Sequence, residues 1–136
     1  MSTDQPLLRI GEMTIRVVVA DELIQSFDAT MPTTGLGPGL HLHTRMDEIF
    51  YVVSGKVAIT SGDSTFLAGP GDVVRVPKMT PHQWQSAEAP ARMLFSFLPG
   101  NDQVHYLTEL AELAHSGRSW EEGITALQAK YDNKPV

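Results

Sequence analysis

His41 and His43 stand two residues apart, Glu48 opens the next apolar run, and His82 opens a later one just after Thr80-Pro81. Alternate residues of a strand share a face, so both imidazoles of the His41-x-His43 pair can point at one ion. Glu48 and His82, each at the start of a strand-like run, can turn toward the same interior. Three neutral nitrogens and one carboxylate suit Fe2+, Mn2+, Ni2+, Cu2+ or Zn2+, with coordination positions left for water or a substrate. Ionisable groups aimed into an apolar interior are costly unpaired, and one bound divalent cation removes that cost. The alternative is a polar interior without a metal. There is no cysteine, which excludes disulfides, thiolate zinc sites and cysteine nucleophiles together.

Short β-branched runs must position these groups. The run Met13 to Val19 is β-branched and alternating, so Met13, Ile15, Val17 and Val19 are expected on one face of a strand. Further apolar runs cover residues 23–27, 48–53, 56–60, 64–67, 72–76, 82–85 and 91–98. Turn-forming residues separate them: Ser54-Gly55, Ser61-Gly62-Asp63, Gly69-Pro70-Gly71, Thr80-Pro81 and Ala89-Pro90. Strands repeating every ~8–12 residues predict an all-β sandwich or barrel over residues 1–100. Residues 101–136 read differently. Asn101 or Asp102 can start a helix with Val104, Leu107, Leu110, Ala111 and Ala114 on one side, and Gly117 stops it. Ser119 and Glu122 form a capping box for a second helix with an apolar stripe of Ile124, Leu127 and Tyr131. This helical extension is expected to pack on the outside of the sheet as part of the same domain, a lid or a dimer contact being its alternative role.

Strand periodicity extends the site. Glu48 shares a face with Phe50 and, if no bulge intervenes, with Met46; His82 shares one with Trp84 and Ser86. Met93, Phe95 and Phe97 form one face of the last strand, with either face free to be the inner one. Met46, Phe50, Trp84 and Phe95 are the expected substrate pocket, apolar and aromatic, although the same side chains could equally fill the core. Met31, Met79 and Met93 could adapt such a pocket or fill gaps. Arg16, Arg75 or Gln25 could face inward to orient a polar substrate group. His105 and His115 read as surface residues.

At 136 residues the chain is one domain. Its net charge of −6 argues against a phosphate-backbone binder, so no nucleic-acid partner is expected. No apolar run approaches the ~20 residues that cross a bilayer, and residues 1–6 lack the basic, then apolar, character of a leader. A cytoplasmic protein with a small-molecule partner is the expectation.

Two stretches resemble the two cupin motifs. Gly35, His41, His43, Glu48 and Gly55 match the first without departures. Gly71, Pro77 and His82 match the second, while Met79 stands where that pattern has glycine and Ser86 where it has asparagine. A glycine position of that kind usually carries a left-handed backbone, so Met79 implies either a rebuilt turn or tolerated strain. The likeness spans residues 35–86 and, by strand pattern, reaches about residue 98. It implies a jelly-roll β-barrel with the metal at its centre, held by His41, His43, Glu48 and His82. Among cupins the chain is most similar to small single-domain proteins of the quercetin-2,3-dioxygenase-like kind. That implies an oxygenase acting on an aromatic or enol-type substrate, with Glu48 shifting between ligand and general base, and a homodimer. A non-redox cyclase, isomerase or lyase and a non-catalytic ligand-binding module are the alternatives, because one fold serves many functions.

Overall fold

Valine- and isoleucine-rich alternation builds most of the molecule. The computed structural model describes residues 7–136; residues 1–6, read above for a leader, lie outside the described residues. The strands are β1 (Leu7–Ile10), β2 (Met13–Ala20), β3 (Gln25–Met31), β4 (His41–Leu42), β5 (Asp47–Ser61), β6 (Ser64–Ala68), β7 (Val73–Val76) and β8 (His82–Leu98). Helices α1 (Gln103–Ala114) and α2 (Trp120–Lys130) follow, and β9 (Lys134–Pro135) ends the chain.

Two pairs of predicted runs fuse into single long strands. Residues 48–53 and 56–60 both belong to β5, and residues 82–85 and 91–98 both belong to β8. The turn signals between them mark bends. The β5–β8 register shifts at Val52/Ser54, Ser54/Lys56 and Lys56/Val57, the local irregularity that bends a paired strand. Gly55 sits at φ 70 where the two strands cross closely: a Cβ there would lie 2.5 Å from the Pro90 carbonyl oxygen. The bend carries β5 and β8 from one layer into the other. Their outer halves (Asp47–Ser54 paired with Arg92–Leu98) lie beside β7 and the β1-β2-β3 run. Their other halves pair with each other beside β6, β4 and β9. This is the two-layer jelly roll.

The core lies between the layers. Met13, Ile15, Val17, Phe27, Ala29, Phe50, Val52, Ile59, Met93, Phe95 and Phe97 are all buried. The Met93–Phe97 face of β8 is therefore the inner one. Val19 leaves the stripe it shares on paper with Val17, because a register irregularity between them turns it outward, where it is 40% exposed.

Both C-terminal helices form as expected. Of the α1 stripe, Leu107 and Ala111 are buried and Val104 and Leu110 pack half-buried against the core, while Gln103, Tyr106 and Leu113 are buried as well. Tyr106 turns toward Tyr131, the ring centroids 5.7 Å apart. Ser119 caps α2 by accepting from the Glu122 N–H at 3.3 Å. Asp102 precedes α1 with no side-chain cap; the Val104 N–H donates instead to Gln25 Oε1 at 3.0 Å. Gln25 thus anchors the start of a helix. Arg16 points outward, and exposed Arg75 pairs with Asp47 at 2.9 Å. His105 and His115 lie at the surface as read. The short strand β9 was not expected: the chain end returns to the sheet, Pro135 opposite His41 and Lys134 opposite Leu42. Among the described residues, no helix is long and apolar enough to cross a membrane.

Candidate metal centre

Strand pairing brings the four candidate ligands together from opposite ends of the chain segment. His41 on β4 is the direct cross-strand partner of His82, the first residue of β8. His43 follows β4 immediately, and Glu48 is the second residue of β5, opposite Val76 and Phe97. One ligand atom from each of His41, His43, Glu48 and His82 lies within 4.8 Å of every other. All four side chains are buried. The imidazole centroids stand 4.4 to 5.0 Å apart.

The tautomers are fixed from behind. Nδ1 of His41 donates to the Gly39 carbonyl at 2.7 Å, Nδ1 of His43 to the Asp132 carbonyl at 2.7 Å, and Nδ1 of His82 to the Thr80 carbonyl at 2.9 Å. A backbone carbonyl can only accept, so each Nδ1 carries the proton. Each neutral ring therefore presents a bare Nε2 inward. Such outward hydrogen bonds are the usual support of metal-ligating histidines. The Nε2 atoms of His43 and His82 reach Glu48 Oε1 at 3.1 and 3.0 Å. Those contacts need something positive between nitrogen and carboxylate, either a proton or a cation.

The electrostatics agree. Burial alone would raise the Glu48 pKa, but hydrogen bonds and charge from His43 and His82 outweigh it and hold the carboxyl at about 2. Burial together with the neighbouring His82 lowers His41 to about 4, so its ring is neutral at ordinary pH. Burial also acts to lower His43, but its bond to Glu48 wins and the net shift is upward. An anionic oxygen among imidazole nitrogens, with no Lys or Arg paired to it, is a donor set that fits a divalent cation.

Local turns keep this arrangement in place. Met79 occupies the left-handed region at φ 68, so the turn is kept and the strain is carried by a non-glycine residue. Its N–H donates to the His43 carbonyl at 2.6 Å. Its side chain is 60% exposed. Ser86 is buried and ties down the loop before β4: its Oγ donates to the Thr33 carbonyl at 2.7 Å and accepts from the Leu36 N–H at 3.1 Å. Gly37 in that loop packs against the Trp84 backbone, with no room for a Cβ.

A cavity of about 300 Å³ opens beside the cluster, with His41 and Glu48 in its wall. Trp84, Phe95 and Phe97 line the barrel side, and Tyr106, Leu107 and Trp120 the helix side. Of the four expected pocket residues, Trp84 and Phe95 line this cavity. Phe50 and Met46 do not; both are packed into the core at 0% and 1% exposure, Phe50 lying edge-on to Trp84 with centroids 6.3 Å apart. Met31 and Met93 are core residues as well. Spacing did not single out Gln103, Asp132 or the helix-borne wall. They lie far along the chain, where nothing local links them to a histidine pair.

Residues 27–97 match the family model described as Cupin domain. A curated protein of Streptomyces coelicolor, "Uncharacterized protein SCO3923", is 40% identical over 53 residues, covering 39% of this chain and 50% of that protein. This chain thus spans about half the length of that relative. Among solved structures, KdgF from Halomonas sp. superposes with a TM-score of 0.68 at 19% identity, covering 76% of this chain and 96% of that one. An RmlC-like cupin from Shewanella frigidimarina gives 0.64 at 15% identity over 73% of this chain and 87% of its own. Pac13, a nucleoside dehydratase, gives 0.58 at 16% identity over 71% and 77%. At these identities the structural likenesses speak for the fold alone.

Proposed function

The chain belongs to the cupin domain family, and on that premise we propose that it is a divalent-metal enzyme acting on a small aromatic or enol-type molecule in the barrel cavity. The observation that carries this reading is the buried convergence of His41, His43, Glu48 and His82 within 4.8 Å at the wall of an aromatic cavity. A bound ion would polarise a substrate oxygen, and a redox-active one would also support oxygenation. The protein's own residues supply the rest. His41, His43 and His82 hold the ion. Glu48 serves as ligand and, while its carboxylate stays anionic, as acceptor of a substrate proton. Trp84 and Phe95 pack against the flat part of the substrate and keep water from it.

A second reading is a non-redox elimination or isomerisation. It is favoured by the likeness to Pac13, described as a nucleoside dehydratase, and by a carboxylate at the cavity wall placed to take a proton. Metal analysis of protein purified without added metal or chelator is the first experiment. It is followed by an O₂-uptake screen of flavonol, enol and catechol compounds on Fe-, Mn-, Ni- and Zn-loaded protein. Uptake supports an oxygenase; conversion without uptake supports the second reading. Binding without conversion would leave a ligand-binding module. Absence of any bound metal overturns both readings.

A further inference from the structure

Gln103, the first residue of α1, is 1% exposed and lines the same cavity as His41 and Glu48. Its Oε1 accepts from Asn133 Nδ2 at 3.3 Å, which fixes the orientation of the amide. Its Nε2 has no hydrogen-bond partner, alone among the buried side-chain nitrogens and oxygens of the described residues. A buried donor without an acceptor is unfavourable and in a native protein calls for an explanation. No Lys or Arg lines the cavity, so apart from the ion itself no cation there would pair with a ligand carboxylate beside the anionic Glu48. An uncharged acceptor fits both facts.

We propose that Gln103 is a specificity residue for the metal-centre cavity, its Nε2 donating to a neutral carbonyl oxygen of the bound molecule. The proposal deepens the enzymatic reading above and rests on the same cavity. It assigns the C-terminal helix a share in recognition: the barrel presents the ion and the aromatic wall, while α1 reads one oxygen of the ligand. Asn133, next to β9, holds the reading amide in register.

The test compares two probes of matched shape, acetophenone and isopropylbenzene, by equilibrium dialysis against the zinc-loaded full chain and against Gln103→Met. The absolute preference includes the different hydrophobicity of the probes, so the readout is the change in the acetophenone-to-isopropylbenzene affinity ratio. Loss of one buried hydrogen bond should lower that ratio about tenfold in Gln103→Met. Gln103→Glu keeps an oxygen for Asn133 and replaces the donor with an acceptor; it should lower the ratio at least as far. A purely structural role through Asn133 would leave the ratio unchanged in the Glu variant. A ratio that stays within about twofold in both variants, or failure of either probe to bind the wild type, overturns the proposal. Zinc content is measured in the same samples. Loss of zinc there would count against the metal centre, while the probe ratio still decides the role of Gln103.

Discussion

Asp132 grips the turn that follows His43. Its carbonyl accepts the His43 Nδ1–H at 2.7 Å, and its carboxylate accepts from the Thr44 N–H at 2.8 Å, Thr44 Oγ1 at 2.7 Å and the Arg45 N–H at 2.9 Å. Burial would raise this carboxyl's pKa, but the Thr44 and Arg45 donors hold it below the usual range. The last residues of the chain thereby orient a candidate metal ligand in its middle.

That relationship sets the first prediction. Asp132→Ala removes the grip on the 44–45 turn while leaving the backbone carbonyl to His43. Metal affinity should fall about 10–100-fold, the usual cost of removing support behind a ligand. Stability should fall by roughly 2–4 kcal/mol, because two backbone N–H groups and a hydroxyl lose a charged acceptor. Competition against a chelating dye and urea denaturation measure the two effects. Unchanged metal affinity would mean that the turn holds itself.

His41→Ala combined with His43→Ala should reduce bound metal to background and leave a folded barrel. The double variant gives up the edge-on contact of His43 with Phe97, centroids 5.3 Å apart, while the apolar side chains of the strand core from Met13 to Phe97 are all retained. Elemental analysis and far-UV circular dichroism give the outcome. Full metal content in the double variant would show that the ion sits elsewhere.

Much of this was legible in the sequence, and the reasons are physical. Period two in a strand placed Trp84 and Ser86 on the face of His82, and all three are buried together. The same rule gave Phe50 the face of Glu48, but a face in a two-layer sandwich includes both cavity and core, and Phe50 fell to the core. Gly55 and Ala89-Pro90 read as chain reversals because the same residue types serve bends, and only the partner strand distinguishes the two. Asp132 and Gln103 were invisible, since each acts through a contact made across the fold. On α1 periodicity found Leu107 and Ala111, whereas Gln103 and Tyr106 are buried where they meet Asn133 and Tyr131, contacts that no local stripe encodes.

Met79→Gly should stabilise the protein by about 0.5–1 kcal/mol. A left-handed non-glycine residue costs about 1–2 kcal/mol, and the added freedom of glycine in the unfolded chain returns roughly 0.4–1 kcal/mol of that. The exposed methionine side chain contributes little packing to offset the change. A thermal melt settles the sign; a lower melting temperature would mean that the side chain makes contacts that matter.

Trp84→Leu should weaken aromatic ligands about tenfold or more through loss of ring contact, with metal content unchanged. The indole is 4% exposed and lies 5.8 Å from the Phe95 ring, centroid to centroid, whereas the metal ligands are held from behind by backbone carbonyls. Leucine retains most of the apolar volume, which limits the loss of stability. Parallel loss of metal and ligand would make Trp84 a structural residue.

Metal binding should strengthen as pH rises. The raised pKa of His43 means that its ring keeps a proton above pH 6.5, shared with Glu48, and an ion must displace it. Affinity should therefore fall about tenfold per pH unit below the His43 pKa, as expected for one competing proton. His41, at about 4, offers no such competition in that range. The metal-free protein has the opposite dependence. A group whose pKa is raised on folding contributes stability below its unfolded value, and that contribution is lost as pH climbs through the folded one. From pH 6.5 upward the metal-free protein loses the His43 contribution while the metal-loaded protein gains affinity. The gap between melting temperatures in zinc and in EDTA should thus widen upward from about pH 6.5 until the folded His43 pKa is passed. A constant gap across that window would show that no proton is displaced, and that His43 does not bind the ion through Nε2.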